Sequence, residues 1–270
     1  MRFLRKTGYY LWSILELLVG VKNWNELFAI FLGKPFVGIK WLELRKNNLK
    51  IGVGSKMEAW SVKETLIDRL YEKYGTAIQP GWVVVDIGAA IGEFTVEAAL
   101  AGAKVHAFEP NAGSINILRQ NLRANSLNGV ETYNLGVWNH SGEIPLHFYN
   151  NEPLQAASGQ RADAEADDIK STSIGVISLP ELLEKVGEPI NLLKLDCEGA
   201  EYEILLDQAP EVFENIERIV MEYHDLPDGR NYQLLVDELT KQGYQTKRHE
   251  NVVHPELGYL YAERAVDSSL

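Results

Sequence analysis

The sequence is poor in cysteine, in clustered basic residues and in long apolar runs. Its 270 residues include one cysteine, Cys197, so an internal disulfide framework is excluded and a reducing, cytoplasmic location is expected. The formal net charge is −12, with no long cluster of lysine and arginine. Because phosphate binding normally needs a basic face, no nucleic-acid partner is expected. The chain is long enough for one α/β domain with an appendage.

The apolar stretches near the N-terminus are too short to span a bilayer. Basic residues precede the stretch 9–21, but Glu16 interrupts it and no small-residue cleavage site follows, which argues against a signal peptide. A second apolar stretch, 24–32, predicts a second helix. Two alternatives stay open for residues 1–35. They pack on the rest of the chain or on a second subunit of a homo-oligomer, or they make peripheral contact with the inner membrane surface.

Residues 82–92 organise the rest of the chain. The apolar run 83–85 predicts a buried parallel strand, which ends at Asp86. Gly88 and Gly92 follow, and then apolar residues recur at helical spacing. A strand, a glycine turn and a helix in this order bring backbone close to a ligand at the C-terminal edge of a parallel sheet.

An acid ends the next predicted strand and indicates the kind of ligand. Glu109 follows Gly88 by about 20 residues, the spacing at which a carboxylate accepts both hydroxyls of a ribose. The glycine pattern of dinucleotide sites is absent, and Asp86 precedes the first glycine. A carboxylate there repels a pyrophosphate and attracts an ammonium. S-adenosylmethionine has a ribose, an ammonium and no phosphate, and an NAD(P)-dependent oxidoreductase is the less favoured alternative.

Three segments resemble those of FkbM-type S-adenosylmethionine-dependent methyltransferases: residues 86–92, 107–111 and 193–201. The likeness covers about residues 59–261, and the third segment is the most specific of the three. The resemblance implies an α/β fold with a doubly wound, mainly parallel sheet of the class I methyltransferase (Rossmann-like) type. It also implies methylation of a hydroxyl on a glycan or secondary metabolite.

The sequence departs from the family pattern at two places. Ala90 stands where the family usually has asparagine, and Ser178-Leu179-Pro180 stands where it tends to have Thr-Leu-Asp. The first change removes a polar group near the methionine end of the cofactor. These departures keep open a second alternative, a binding module that retained the cofactor fold and lost the chemistry.

We predict two units, residues 1–58 with two helices and a β-hairpin, and residues 59–270 with the cofactor domain. A capping box of Ser55 and Glu58 starts a helix that continues through residues 60–74. The polar stretch 150–170 is predicted to be a lid over the substrate or a solvated loop. The other predicted elements are strands at 130–138, 143–149, 190–196, 217–223, 244–247 and 258–261, and helices at 179–186 and 232–242.

The predicted cofactor site collects the strand ends, because ligands of parallel sheets lie there. Asp86 is expected to accept from the methionine amine, directly or through water, and Glu109 from the ribose. Gly136 and Val137 are expected to line the adenine. The full predicted cofactor set is Asp86, Gly88, Ala89, Ala90, Gly92, Glu109, Pro110, Asn111, Gly136, Val137 and Asp196.

Methylation of a hydroxyl needs a base within hydrogen-bond reach, and three residues at neighbouring strand ends are candidates: Asp196, Glu222 and His224. If His224 is the base, the rate should fall as the pH drops through roughly 6–7. Lys194 is expected to pair with a carboxylate. The same acids with His224 have the donor types of a magnesium site, but no metal is predicted.

Overall fold

The computed structural model describes residues 12–149, 152–153, 169–251 and 253–264. The basic N-terminal residues and most of the polar stretch 150–170 lie outside the described residues. The helices are α1 (12–20), α2 (Trp24–Phe31), α3 (Lys56–Val62), α4 (Leu70–Tyr74), α5 (Glu93–Leu100), α6 (Ala112–Ala124), α7 (Leu179–Val186), α8 (Glu201–Leu205), α9 (Pro210–Glu214) and α10 (Tyr232–Lys241). The strands are β1 (Lys40–Glu43), β2 (Lys50–Val53), β3 (Val83–Ile87), β4 (Lys104–Phe108), β5 (Val130–Tyr133), β6 (Gly136–Trp138), β7 (Gly142–Tyr149), β8 (Glu152–Pro153), β9 (Ile169–Ser178), β10 (Leu192–Leu195), β11 (Arg218–His224), β12 (Tyr244–Glu250) and β13 (Leu257–Arg264).

A seven-stranded sheet with the order β12-β13-β11-β10-β3-β4-β5 forms the centre of the described structure. Strands β11, β10, β3, β4 and β5 pair in parallel, and β13 and β12 continue the sheet antiparallel. The predicted doubly wound, mainly parallel sheet is therefore confirmed. The strand order reverses beside β3, whose neighbours β4 and β10 lie on its two sides. A crevice for a ligand is expected at this point.

The predicted strand 130–138 is wrong as one element, because the chain leaves the central sheet in its middle. β5 pairs with β4, whereas β6 pairs with β9 in a second, four-stranded sheet of order β6-β9-β7-β8. At the break, the side-chain amide of Asn134 donates to the carbonyl oxygens of Glu109 and Pro110, at 2.9 Å each. The partner strand β9 lies about 40 residues further along the chain, so local patterning could not reveal it.

The predicted helix 60–74 is also interrupted. α3 starts with the predicted capping box of Ser55 and Glu58, but a π-helical turn follows at residues 63–67. Arg69 then adopts a left-handed conformation with φ of 54° before α4 begins. Lys63 is fully buried and pairs with Asp68. The wider turn brings the carboxylate of Asp68 to this buried ammonium.

The N-terminal elements pack on the central domain. β1 and β2 form the predicted antiparallel hairpin. Leu17 of α1 belongs to the same apolar core as Leu118 of α6. The side chain of Asn121 bonds the backbone of both Gly52 and Ile91. None of the described helices has the length and apolar character needed to cross a membrane.

Candidate active site

The glycine turn after β3 lies directly against the end of β10. Gly88 has φ of +71°, and a Cβ at this position would lie 1.9 Å from the carbonyl oxygen of Asp196. The N–H groups of Gly88 and Ala89 both donate to the carbonyl oxygen of Phe108 at 3.0 Å. The turn therefore joins the ends of β3, β4 and β10, and position 88 has no room for any side chain.

The same turn holds the carboxylate of Glu109. Ala90 donates its N–H to Oε2 at 2.9 Å, and Asn111 donates to Oε1 at 2.7 Å. Each carboxylate oxygen keeps a further lone pair, which is what a ribose with two hydroxyls requires. Burial raises the pKa of Glu109 to about 7, although both backbone donors act to lower it. The described residues thus fit the ribose of S-adenosylmethionine.

A cavity of about 300 Å³ adjoins Glu109. It opens at the N-terminus of α6, and its opposite wall comes from the second sheet. The lining residues are Pro110, Asn111, Ala112, Gly113, Asn134, Thr172, Ser173, Ile174 and Gly175. Gly136 and Val137, which are predicted to line the adenine, are not among these lining residues, and Val137 is buried in the core. Their contact with the adenine stays a prediction.

Asp86 is not among the residues that line this cavity, and its role as an acceptor near the methionine amine, directly or through water, stays a prediction. Its side chain is fully buried, accepts from the hydroxyl of Thr95 at 2.6 Å and lies 3.0 Å from Nζ of Lys194. A buried carboxylate needs such partners to offset desolvation. Through these two buried contacts, Asp86 stabilises the turn.

Lys194 is the buried cation that joins the two strand ends. Besides Asp86, its ammonium donates to the carbonyl oxygen of Gly88 at 2.9 Å and lies 3.9 Å from Asp196. Burial acts to lower the pKa of Lys194, but the carboxylates of Asp86 and Asp196 outweigh it and raise the pKa. The predicted pairing of Lys194 with a carboxylate is confirmed, and the group stays charged at neutral pH.

The three candidate bases lie together. Asp196, Glu222 and His224 each place one side-chain N or O atom within 4.8 Å of the others. β10 and β11 pair in parallel, which brings their carboxyl ends to one edge. Glu222 and His224 share a face of β11 because side chains alternate along a strand. We call these three side chains the acceptor rim.

Tyr71 on α4 contacts the acceptor rim through Asp196. Its hydroxyl donates to Oδ2 of Asp196 at 2.6 Å, and its ring packs edge-on against Phe94 and Tyr259. Burial and then the charge of Asp196 raise the pKa of the Tyr71 hydroxyl. The phenol therefore stays protonated and remains a donor. Sequence patterning gave no signal for this contact across 125 positions.

Glu201 is the other side chain that sequence reasoning missed. It is fully buried at the start of α8, and its Oε1 lies 3.3 Å from Nδ1 of His224 and accepts from the N–H of Cys197. Glu198 Oε2 lies 3.5 Å from Nε2. The imidazole is thus oriented between two carboxylates. The specific segment 193–201 contains both acids, which was the available signal.

These acids change the expected protonation of the acceptor rim. Burial acts to lower the pKa of His224, but the carboxylates of Glu201, Glu198 and Glu222 outweigh it and raise the pKa well above its usual 6.5. Burial and the charge of Asp196 raise the pKa of Glu222, against the effect of His224. The pKa values of Glu222 and His224 are therefore both raised, and both shifts favour the protonated form. The loss of rate with falling pH stays a prediction, and the raised pKa of His224 moves the expected loss to a pH above roughly 6–7.

The acceptor rim is also the described group whose donor types suit a divalent cation. Asp196 already has the Tyr71 hydroxyl and the Lys194 ammonium as partners, so part of its charge is compensated without a metal. The absence of a metal stays a prediction. Dialysis against a chelator, followed by measurement of cofactor binding and of turnover, tests it.

Comparison with known proteins finds similar methyltransferases. The chain is 30% identical to methyltransferase sdnD of Sordaria araneosa over 210 residues, 67% of this chain and 80% of that protein. It is 29% identical to the 31-O-demethyl-FK506 methyltransferase FkbM of Streptomyces tacrolimicus over 197 residues, 62% of this chain and 74% of that protein. A solved S-adenosylmethionine-dependent methyltransferase from Agrobacterium tumefaciens has the same fold, with a TM-score of 0.50, 10% identity, and coverage of 86% of this chain and 72% of that one.

The family assignment rests on the segment that carries the site. The sequence model of the methyltransferase FkbM domain matches residues 86–246, more than half of the chain. The match begins at the strand end that carries Asp86, and it includes both the Glu109 carboxylate and the acceptor rim. This chain belongs to the FkbM methyltransferase family.

Proposed function

We propose that this methyltransferase uses S-adenosylmethionine to methylate a hydroxyl oxygen of a glycan or secondary metabolite. The observation that carries the proposal is the acceptor rim, two carboxylates and a histidine within 4.8 Å of one another beside the Gly88 turn. Methylation of a hydroxyl removes a proton as the C–O bond forms, and such a group can receive it. The inactive binding module would have no use for a buried proton acceptor at this edge.

The cofactor residues divide the binding task. Glu109 accepts the two ribose hydroxyls, and the cavity between α6 and β9 takes the adenine. The backbone of Gly88, Ala89 and Gly92 allows close approach at the methionine end. Ala90 has φ of 45°, a left-handed conformation that asparagine adopts more readily than alanine. The departure from the family pattern at Ala90 thus costs backbone strain but keeps the N–H that holds Glu109.

The residues of the acceptor rim receive the one proton that the hydroxyl loses. When bound, S-adenosylmethionine supplies an electrophilic methyl group, and its sulfur keeps the electron pair of the broken C–S bond. The proton of the attacking hydroxyl passes to the pair of Glu222 and His224. Glu201 holds the imidazole on its Nδ1 side, and Glu198 lies on its Nε2 side. Tyr71 and Lys194 keep Asp196 oriented as a hydrogen-bond acceptor for the hydroxyl.

The relatives support the acceptor class. One of them is named a 31-O-demethyl-FK506 methyltransferase, and that name refers to an oxygen position. The second departure from the family pattern has a structural explanation, since Ser178 caps α7 and Pro180 lies in its first turn, where proline is tolerated. The departure at residues 178–180 therefore does not argue against an active enzyme.

A product assay tests the proposal. Incubation with S-adenosylmethionine and a panel of hydroxylated glycans and metabolites should release S-adenosylhomocysteine and yield a methyl ether, detected by mass spectrometry and nuclear magnetic resonance. A product methylated on nitrogen or carbon would contradict the choice of oxygen. Calorimetry should show binding of S-adenosylhomocysteine and none of NAD. Binding without turnover on any acceptor would favour the inactive module.

Substitution of Glu109 should weaken cofactor binding. A hydrogen bond to a charged group is worth about 1.5–3 kcal/mol, so Glu109→Ala should raise the Kd for S-adenosylhomocysteine by at least about tenfold. Isothermal titration calorimetry measures the effect. Glu211→Ala, at an exposed acid on α9, is the control and should leave the Kd unchanged. Equal affinities in a folded Glu109→Ala protein would refute the ribose assignment.

The same carboxylate should make cofactor binding depend on pH. The pKa of Glu109 is raised to about 7 by burial, and the ionised form is the better acceptor for two hydroxyls. Affinity for S-adenosylhomocysteine should therefore rise as the pH increases through about 7. Glu109→Gln, which cannot ionise, should bind more weakly and lose this rise. A wild-type affinity that stays constant across the range would contradict the prediction.

A further inference from the structure

Exposed apolar side chains are concentrated in one part of the chain. Of the eleven large hydrophobic side chains that are exposed among the described residues, eight belong to residues 12–41. We call these eight the N-terminal apolar surface. Trp12 is 62% exposed, Val19 is 73% exposed and Val37 is fully exposed. Single exposed apolar residues are ordinary, whereas larger exposed apolar patches mark interaction surfaces.

This surface is the outer side of elements that are firmly held on their inner side. Leu17 of α1 and Val21, which follows α1, are buried in the core, and Glu16 lies 3.4 Å from Nζ of the buried Lys63. Asn23 bonds the backbone of Trp41 and Glu43 at 2.8 Å. The inner faces of α1, α2 and β1 are therefore in use, and the apolar side chains that remain outside have a fixed arrangement.

The charge of this part of the chain is opposite to that of the rest. Residues 1–50 contain nine lysines and arginines and three acids, a formal charge of +6 within a chain of −12. Exposed bases of the described part include Lys34, Arg45 and Lys50. The screening length at physiological salt is about 8 Å, so an approaching surface senses the nearby charges and not the distant acids.

The aromatic content is also that of an interface. Three of the six tryptophans of the chain lie in the N-terminal apolar surface: Trp12, Trp24 and Trp41. Tryptophan is enriched where a protein meets the headgroups of a bilayer, because its ring is apolar and its N–H is polar. An apolar face rimmed by bases is typical of helices that lie in the plane of a membrane surface.

We propose that the N-terminal apolar surface docks on an anionic lipid bilayer. A second copy of the chain is disfavoured as the occupant, since two positively charged surfaces would face each other. Docking is peripheral and embeds α1 and the α2–β1 region at the headgroup level. The inference does not rest on the proposed acceptor chemistry.

Flotation of the full chain with vesicles tests the proposal. The protein should float with vesicles of equal parts phosphatidylglycerol and phosphatidylcholine, and much less with phosphatidylcholine alone. Binding should weaken as the salt concentration rises from about 0.1 M to about 1 M, because screening removes the charge attraction. Failure to float with the anionic vesicles would overturn the proposal.

Paired substitutions localise the contact. Trp12→Ser with Val19→Ser should reduce binding to the anionic vesicles by more than about tenfold, because the protein loses two exposed apolar side chains that the bilayer would cover. Leu100→Ser with Leu234→Ser, at exposed leucines of α5 and α10, should leave binding unchanged. Equal losses in both pairs would overturn the assignment to this surface.

A second variant guards against misfolding. Val37→Glu changes a fully exposed loop residue, adds a negative charge and should also release the protein from anionic vesicles. Light scattering measures the oligomeric state of the wild-type and substituted proteins. A wild-type dimer that the Trp12 and Val19 substitutions convert to monomers would identify a second copy as the occupant and overturn the lipid proposal. If folded Val37→Glu still floats with the anionic vesicles, the lipid proposal is also overturned.

Discussion

Replacing His224 by glutamine should lower turnover by about 10²–10⁴-fold and leave the affinity for S-adenosylhomocysteine nearly unchanged. The hydroxyl proton is transferred only in the transition state, so its acceptor contributes to the rate and not to cofactor binding. Glutamine keeps the size and a hydrogen-bonding group but cannot take a proton. Asp196→Asn and Glu222→Gln test the rest of the acceptor rim, and at least one of the three should show this pattern.

The control for this substitution is His140→Gln in the exposed turn between β6 and β7, which should retain full turnover. A structure with bound S-adenosylhomocysteine provides a test that needs no acceptor. At least one side chain of the rim should lie within about 7 Å of the sulfur, which leaves room for a substrate oxygen between them. Greater distances for all three would refute the catalytic assignment.

The pH profile separates the members of the rim. His224 accepts a proton only when it is neutral, and the neighbouring carboxylates raise its pKa well above 6.5. Turnover should therefore increase with pH above the usual range of histidine. In His224→Gln this increase should disappear. A profile already flat from pH 6.5 upward in the wild-type protein would show that His224 is not the base.

Gly88→Ala should have the other large effect. The new Cβ would lie 1.9 Å from the carbonyl oxygen of Asp196, which is backbone and cannot rotate away. The left-handed φ adds a cost of about 1 kcal/mol, and the clash about 1–3 kcal/mol more. Because the turn joins the cofactor site to the acceptor rim, its displacement should reduce turnover by at least about 10²-fold and weaken cofactor binding.

A second glycine separates the clash from the backbone conformation. Gly187, after α7, has the same φ of +71°, but an added Cβ there would meet its nearest atom at an ordinary 3.8 Å. Gly187→Ala should cost about 1 kcal/mol of unfolding free energy and leave binding and turnover intact. Thermal unfolding and calorimetry on both variants make the comparison. Similar losses of cofactor affinity would contradict the close-approach role of Gly88.

The cofactor half of the site depends on short stretches of sequence and could be predicted from them. The run 83–85 with Gly88 defines a strand and turn, and Glu109 follows at the distance set by one crossover helix. Such signals are local, because strand and helix periodicity and glycine conformation act within a few residues. The parallel sheet follows from the alternation of strands and helices.

Only the tertiary structure determined the contacts between residues that are far apart in the chain. The pairing of Asp86 with Lys194, of Tyr71 with Asp196 and of Glu201 with His224 depends on which strands lie side by side. The break after β5 depends on β9 in the same way. The neighbours of a carboxylate at a strand end determine its burial and the charges around it. They thereby decide whether it binds the cofactor, pairs with a buried cation or acts as a base. Those neighbours are set by packing, so sequence determined which acids gather at this edge and the fold determined what each one does.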